Sequence, residues 1–170
     1  IEAKGYGEVN VVASSKASNY SYIPKDYQVP QNVDYFHCTS NNTIFGTQIK
    51  TFPDCGNTPL ICDMSSDIFS KPVDVSKFSL IYAGAQKNMG PAGVTLVIIK
   101  KDMYEKVAER HIPTMMKYKI HADNDSMYNT PPVFPIYVSM LTMKWLKDNG
   151  GVAWIEKINQ EKADTLYAEI

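Results

Sequence analysis

Apolar positions follow two different patterns along the chain. Up to residue 99 they come in short, unbroken runs, and beyond residue 100 they recur at helical spacing. The runs at 9–13, 33–39, 60–63, 78–83 and 93–99 read as strands, the last being the richest in β-branched residues. A loop rich in Tyr, Asn, Pro and Ser fills residues 19–32, and the polar turn Ser40-Asn41-Asn42-Thr43 follows the second run. Runs this short and continuously apolar suit strands covered on both faces of a mainly parallel sheet. The stretch from Lys87 to Gly93 is too short for a crossover helix, which needs about a dozen residues or more. The run at 93–99 is therefore expected to lie antiparallel to its neighbour.

The second pattern predicts helices. Residues 102–110 read as one, with Asp102 as its N-cap. Phe134, Val138, Leu141 and Trp145 mark a face of another, ended by Gly150-Gly151. Ile155, Ile158, Leu166 and Ile170 mark a last one. These stripes are core or interface packing. The fold expected is α/β: three layers, with a mainly parallel sheet carrying one antiparallel strand and flanked by helices. Ile1-Glu2-Ala3-Lys4 reads as the tail of a helix, and residues 161–170 run out in an uncapped helical pattern. Both ends suggest a middle piece of a longer protein.

Composition narrows the partners. A formal net charge of −1 gives no reason to expect nucleic acid or an anionic membrane. No apolar run approaches the roughly 20 residues of a membrane span. Cys38, Cys55 and Cys62 have neither CxxC spacing nor a His/Cys metal pattern, so they read as reduced, mostly buried thiols, and no metal site is expected.

Candidate chemistry centres on Tyr82-Ala83-Gly84-Ala85-Gln86-Lys87-Asn88-Met89-Gly90-Pro91-Ala92-Gly93. Lys87 stands among small residues at the end of an apolar run, where a solvated lysine would need no such specific loop. Asp63 ends an earlier strand, the place where open α/β sheets present ligand sites. An amine that forms a Schiff base, with a carboxylate that pairs with a pyridine nitrogen, is what pyridoxal phosphate requires. The small residues would let a flat ligand approach the backbone. Asp63 also fits a plainer role as the cap of the Ser65-Ser66-Asp67 turn. The Thr43 hydroxyl suits a cofactor phenolic oxygen or an ordinary turn. Asn129 and Thr130, before Pro131-Pro132, suit phosphate oxygens or a rigid loop. His37 reads as a strand residue with a satisfied ring.

Beyond single residues, longer segments carry a resemblance. They are 37–46 (His-Cys-Thr-Ser-Asn-Asn-Thr-Ile-Phe-Gly), Asp63-Met64-Ser65-Ser66, the stretch around Lys87, Ser126-Met127-Tyr128-Asn129-Thr130-Pro131-Pro132, and Lys144-Trp145-Leu146-Lys147-Asp148-Asn149-Gly150-Gly151. In this order they resemble the phosphoserine aminotransferase family of fold-type I pyridoxal-phosphate enzymes. The resemblance implies that Lys87 forms the Schiff base and shuttles a proton, Asp63 pairs with the pyridine nitrogen, and Thr43 bonds the phenolic oxygen. It implies that Gln86 helps to hold the cofactor phosphate, and that Asn129 and Thr130 reach the cofactor of a neighbouring subunit in a homodimer. The implied reaction converts 3-phosphohydroxypyruvate and L-glutamate into O-phospho-L-serine and 2-oxoglutarate, in cytoplasmic serine biosynthesis. Residues 1–170 then correspond to part of the large cofactor-binding domain. The N-terminal segment and C-terminal small domain fall outside the chain, and the piece alone is expected to be inactive. A related aminotransferase or cysteine desulfurase shares the Asp/Lys pair but not the Asn-Thr-Pro-Pro segment in this form. A non-catalytic interaction module on the same fold is a further alternative.

Overall fold

The computed structural model describes residues 2–106 and 111–170. Strands β1 (Phe36–Thr39), β4 (Leu60–Asp63), β5 (Leu80–Gly84) and β6 (Thr95–Ile99) form the main sheet in the order β1-β4-β5-β6. β1 and β5 each pair with β4 in parallel, and β6 pairs antiparallel with β5. The mainly parallel sheet with one antiparallel strand is thus as expected. A small antiparallel hairpin, β2 (Asn41–Asn42) with β3 (Thr47–Gln48), grows from the end of β1. Helices α1 (Lys101–Glu105), α2 (Tyr118–Asp123), α3 (Val133–Asp148) and α4 (Gly151–Ala168) follow.

The core lies where the two central strands meet the turns at their ends. Cys62, Met64, Ile81, Ala83 and Ala85 are almost wholly buried, with Ile68, Phe78 and Met89 around them. Burying each larger side chain stabilises the fold by about 1.5–3 kcal/mol, an upper figure because unfolded chains are partly compact. α3 packs against this core through Met143 and buries Leu146. Gly150 and Gly151 adopt φ of 108° and 71°, which lets the chain reverse into α4. Trp145 then meets Trp154 edge-on at 5.6 Å. Phe134 and Trp145 stay 72% and 52% exposed, so much of the α3 apolar stripe is uncovered in this chain.

Several expected boundaries move. Residues 9–13 form no strand, because no described segment pairs with them, and Val11 is largely exposed. The second run pairs only from Phe36, the run at 78–83 becomes Leu80–Gly84, and the last strand begins at Thr95. Lys100, not Asp102, is the N-cap of α1: its backbone is still extended at φ −65° and ψ 140°. Asp102 sits in the first turn, where its charge complements the helix dipole. The expected continuation through 107–110 lies outside the described residues. Glu2–Gly5 forms one 3-10 turn. Among the described residues, no helix is long and apolar enough to cross a membrane.

Candidate active site

Lys87, Asp63 and Thr43 line one open cleft of about 600 Å³, together with Thr39, Asn41, Ser65 and Ser66. Their convergence follows from topology. Asp63 ends β4 and Thr39 ends β1 directly beside it, so both project at the carboxyl edge of the parallel strands. The chain then turns sharply. The Asp63 carboxylate Oδ1 accepts from the Ser65 N–H at 2.9 Å, the Met64 N–H donates to the Tyr82 carbonyl at 2.9 Å, and the Gly84 N–H donates to Ser65 Oγ at 3.1 Å. Asp63 therefore does cap its turn, and it lines the cleft as well.

Lys87 comes from the turn after β5. The Ala85 carbonyl accepts from both the Met89 and Gly90 N–H groups, coiling the chain so that Lys87 leaves on the cleft side. Its Nζ donates to Thr43 Oγ1 at 2.8 Å. Several small residues of this stretch have packing duties. Ala83 and Ala85 are core, and Gly93 needs its φ of 109°. A Cβ at Gly90 would lie 2.5 Å from Ser139 Oγ and 3.1 Å from Ser139 Cα, so its absence lets α3 approach the lysine turn.

Thr43 is held at the tip of the β2–β3 hairpin by a clamp that the sequence did not advertise. Asp67 is only 7% exposed. Its Oδ1 accepts from the Ser40 hydroxyl, and its Oδ2 from Gln48 Nε2 at 3.1 Å. Asn41 Nδ2 donates to Ser66 Oγ and Ser66 Oγ–H donates to the Asn41 carbonyl, both at 3.0 Å. The hairpin is thus fastened to the turn that follows Asp63. The opposite wall is the loop containing Ser14, Ser15, Tyr20, Tyr22, Ile23 and Pro24, which sequence reasoning missed. Its signal was a cluster of Tyr and Ser after an unpaired apolar run. Tyr20 packs on Phe45 with ring centroids 4.9 Å apart, joining this loop to the hairpin tip.

The remaining candidates lie elsewhere. Gln86 is exposed, with its amide over Gly84, and does not line the cleft. Asn129 and Thr130 are exposed in the segment before α3, away from the cleft lining, with Asn129 Nδ2 donating to the Thr130 carbonyl at 3.3 Å. His37 has a partner: its Nε2 is 3.0 Å from the Tyr82 hydroxyl. Burial lowers the His37 pKa, against the pull of the Asp63 carboxylate, and the Tyr82 phenol is pushed up to about 12 by burial and by Asp63. Cys55 and Cys62 are buried thiols and Cys38 is partly buried. Among the described residues, no cluster of metal-ligating side chains occurs.

An amine and a carboxylate thus share one cleft at the carboxyl edge of a mainly parallel sheet. The chain belongs to the class-V aminotransferase family, whose model matches residues 2–170. It is similar to the phosphoserine aminotransferase of Flavobacterium psychrophilum, 63% identical over 99% of this chain and 47% of that protein. Among solved structures it is similar to phosphoserine aminotransferase from Bacillus circulans subsp. alkalophilus, 48% identical with a TM-score of 0.94 over 98% of this chain and 46% of the other. The PLP-bound phosphoserine aminotransferase from Trichomonas vaginalis is 40% identical, with a TM-score of 0.82 over 88% of this chain and 44% of the other. The chain spans about half the length of the curated relatives it matches, 47% for the first of them.

Proposed function

We propose that the full-length protein is a pyridoxal-phosphate-dependent phosphoserine aminotransferase, moving the amino group of L-glutamate to 3-phosphohydroxypyruvate to give O-phospho-L-serine and 2-oxoglutarate. The observation that carries this reading is the placement of Lys87 Nζ 2.8 Å from Thr43 Oγ1, in the cleft that Asp63 also lines. Identity of 63% to a phosphoserine aminotransferase supports the choice of substrates.

The donor set fits the cofactor. When bound, pyridoxal phosphate supplies an aldehyde that an amine can capture and a protonated pyridine ring that accepts electrons. Lys87 presents the amine, and the same group would carry a proton between substrate carbon and cofactor. Asp63 presents an anionic oxygen for the ring nitrogen, because Ser65 engages only one of its two oxygens in the turn. The Thr43 hydroxyl, already beside Lys87 Nζ, suits the phenolic oxygen. Gln86 is assigned to the cofactor phosphate by family likeness, and would have to swing from its position over Gly84. Asn129 and Thr130 are assigned to the phosphate bound in the neighbouring subunit of a homodimer. Neither lines this chain's own cleft, which is consistent with that role. The residues described here belong to the large domain, and cytoplasmic serine biosynthesis is the setting we assign.

The test is a coupled assay of full-length protein with L-glutamate and 3-phosphohydroxypyruvate. Lys87→Ala is expected to abolish turnover while weak cofactor binding persists. Normal steady-state rates in that variant would refute the assignment.

A further inference from the structure

Asp63 shares its face of the sheet with two residues that the proposed chemistry does not use. Parallel pairing sets Thr39, Asp63 and Tyr82 in one row, so their side chains leave the same face. His37 lies two residues before Thr39 on β1 and faces the same way. β4 runs between β1 and β5, which puts those outer strands roughly 10 Å apart. Yet His37 Nε2 and the Tyr82 hydroxyl are 3.0 Å apart, and the two rings are stacked with centroids at 6.1 Å. That contact can be made only across β4, over the row of side chains to which Ile61 and Asp63 belong. The pair therefore forms a bridge behind the Asp63 carboxylate, on the side away from the cleft mouth. Asp63 and Tyr82 are register partners on neighbouring strands, and the carboxylate acts electrostatically on both rings.

We propose that Tyr82, backed by His37, is a positioning residue for Asp63: its hydroxyl donates to the carboxylate and holds it toward the cofactor ring. His37 Nε2–H donates to the Tyr82 oxygen, and Tyr82 O–H donates onward, so each donor has one acceptor. Asp63 is then oriented by two groups, the Ser65 N–H and the Tyr82 hydroxyl, and keeps free lone pairs for the ring nitrogen. The inference rests on the pyridoxal-phosphate reading of the cleft.

A double-mutant cycle on the full-length protein tests it, with the pyridoxal phosphate dissociation constant as the readout. Tyr82→Phe is expected to weaken cofactor binding by about tenfold, the typical worth of a hydrogen bond to a charged group. In the Asp63→Ala background the same change is expected to cost about twofold or less, because its target is gone. An equal loss in both backgrounds would make Tyr82 a packing residue and overturn the proposal, as would no loss in either. Should Tyr82→Phe not fold, His37→Gln in both backgrounds asks the question from the far end of the bridge. It is expected to cost about threefold beside intact Asp63 and nothing in the Asp63→Ala background. If the wild-type protein binds no pyridoxal phosphate, the functional reading itself fails. Cofactor binding without coupling removes only the present inference.

Discussion

Removing the Asp67 carboxylate should loosen the hairpin that carries Thr43 without touching the cleft itself. Asp67 accepts from the Ser40 hydroxyl and from Gln48 Nε2, and Ser40 is only 1% exposed. Asp67→Ala deletes two hydrogen bonds to a charged group, each worth about 1.5–3 kcal/mol, and leaves the Gln48 amide without its acceptor, while the Ser40 hydroxyl keeps the Asp63 carbonyl at 3.1 Å. Relief of the carboxylate's desolvation offsets part of this, for a net loss of about 2–4 kcal/mol. Asp67→Asn should cost less. Its carbonyl can still accept from Ser40, but its amide then meets the Gln48 amide donor against donor. The direct assay is native-state hydrogen exchange in the full-length protein. The Ile49 N–H donates to the Ser40 carbonyl at 2.7 Å and reports opening at the hairpin base. Its exchange should accelerate by roughly thirtyfold or more in Asp67→Ala, the equivalent of about 2 kcal/mol. Exchange within about threefold of wild type would show that the clamp does not hold the hairpin.

Two other perturbations follow from the geometry. The Tyr82 phenol should titrate near 12 rather than 10.0, because burial and then the Asp63 carboxylate favour its neutral form. A raised acid pKa gives stability that is complete below about 10 and is lost as pH rises through about 12. Tyrosine ring-carbon NMR should show the titration moving part of the way down in Asp63→Asn, and an unmoved titration would mean the carboxylate does not act on it. Gly90→Ala places a methyl group against Ser139 of α3 and should destabilise by about 1–3 kcal/mol, read as a lowered melting temperature. An unchanged melting temperature would show that α3 gives way freely.

Lys87 and Asp63 were legible because each stands at or just past the end of an apolar run, and strand ends of a parallel sheet converge on one edge, whereas Thr43 was visible only as part of a polar turn after such an end. The antiparallel partner of β5 was legible from loop length alone. Other features were not, and each has a physical reason. Residues 9–13 have strand-like composition, but a ladder needs a partner, and none is present among the described residues. Ser65-Ser66-Asp67 looks like a solvated turn, since nothing local reveals that the hairpin folds over it and buries Asp67. The glycines near Lys87 suggested room for a ligand, whereas Gly90 makes room for α3, a helix far along the chain. The His37–Tyr82 bridge joins residues 45 apart in sequence, and its meaning depends on which strand lies between them.

The central claim is that the Lys87 amine holds the cofactor opposite Asp63. Borohydride reduction of the full-length protein loaded with pyridoxal phosphate, followed by peptide mapping, tests it most directly. The account predicts a phosphopyridoxyl group fixed to Lys87 and lost in Lys87→Ala. A label on a different lysine, or none at all on protein saturated with cofactor, would contradict it.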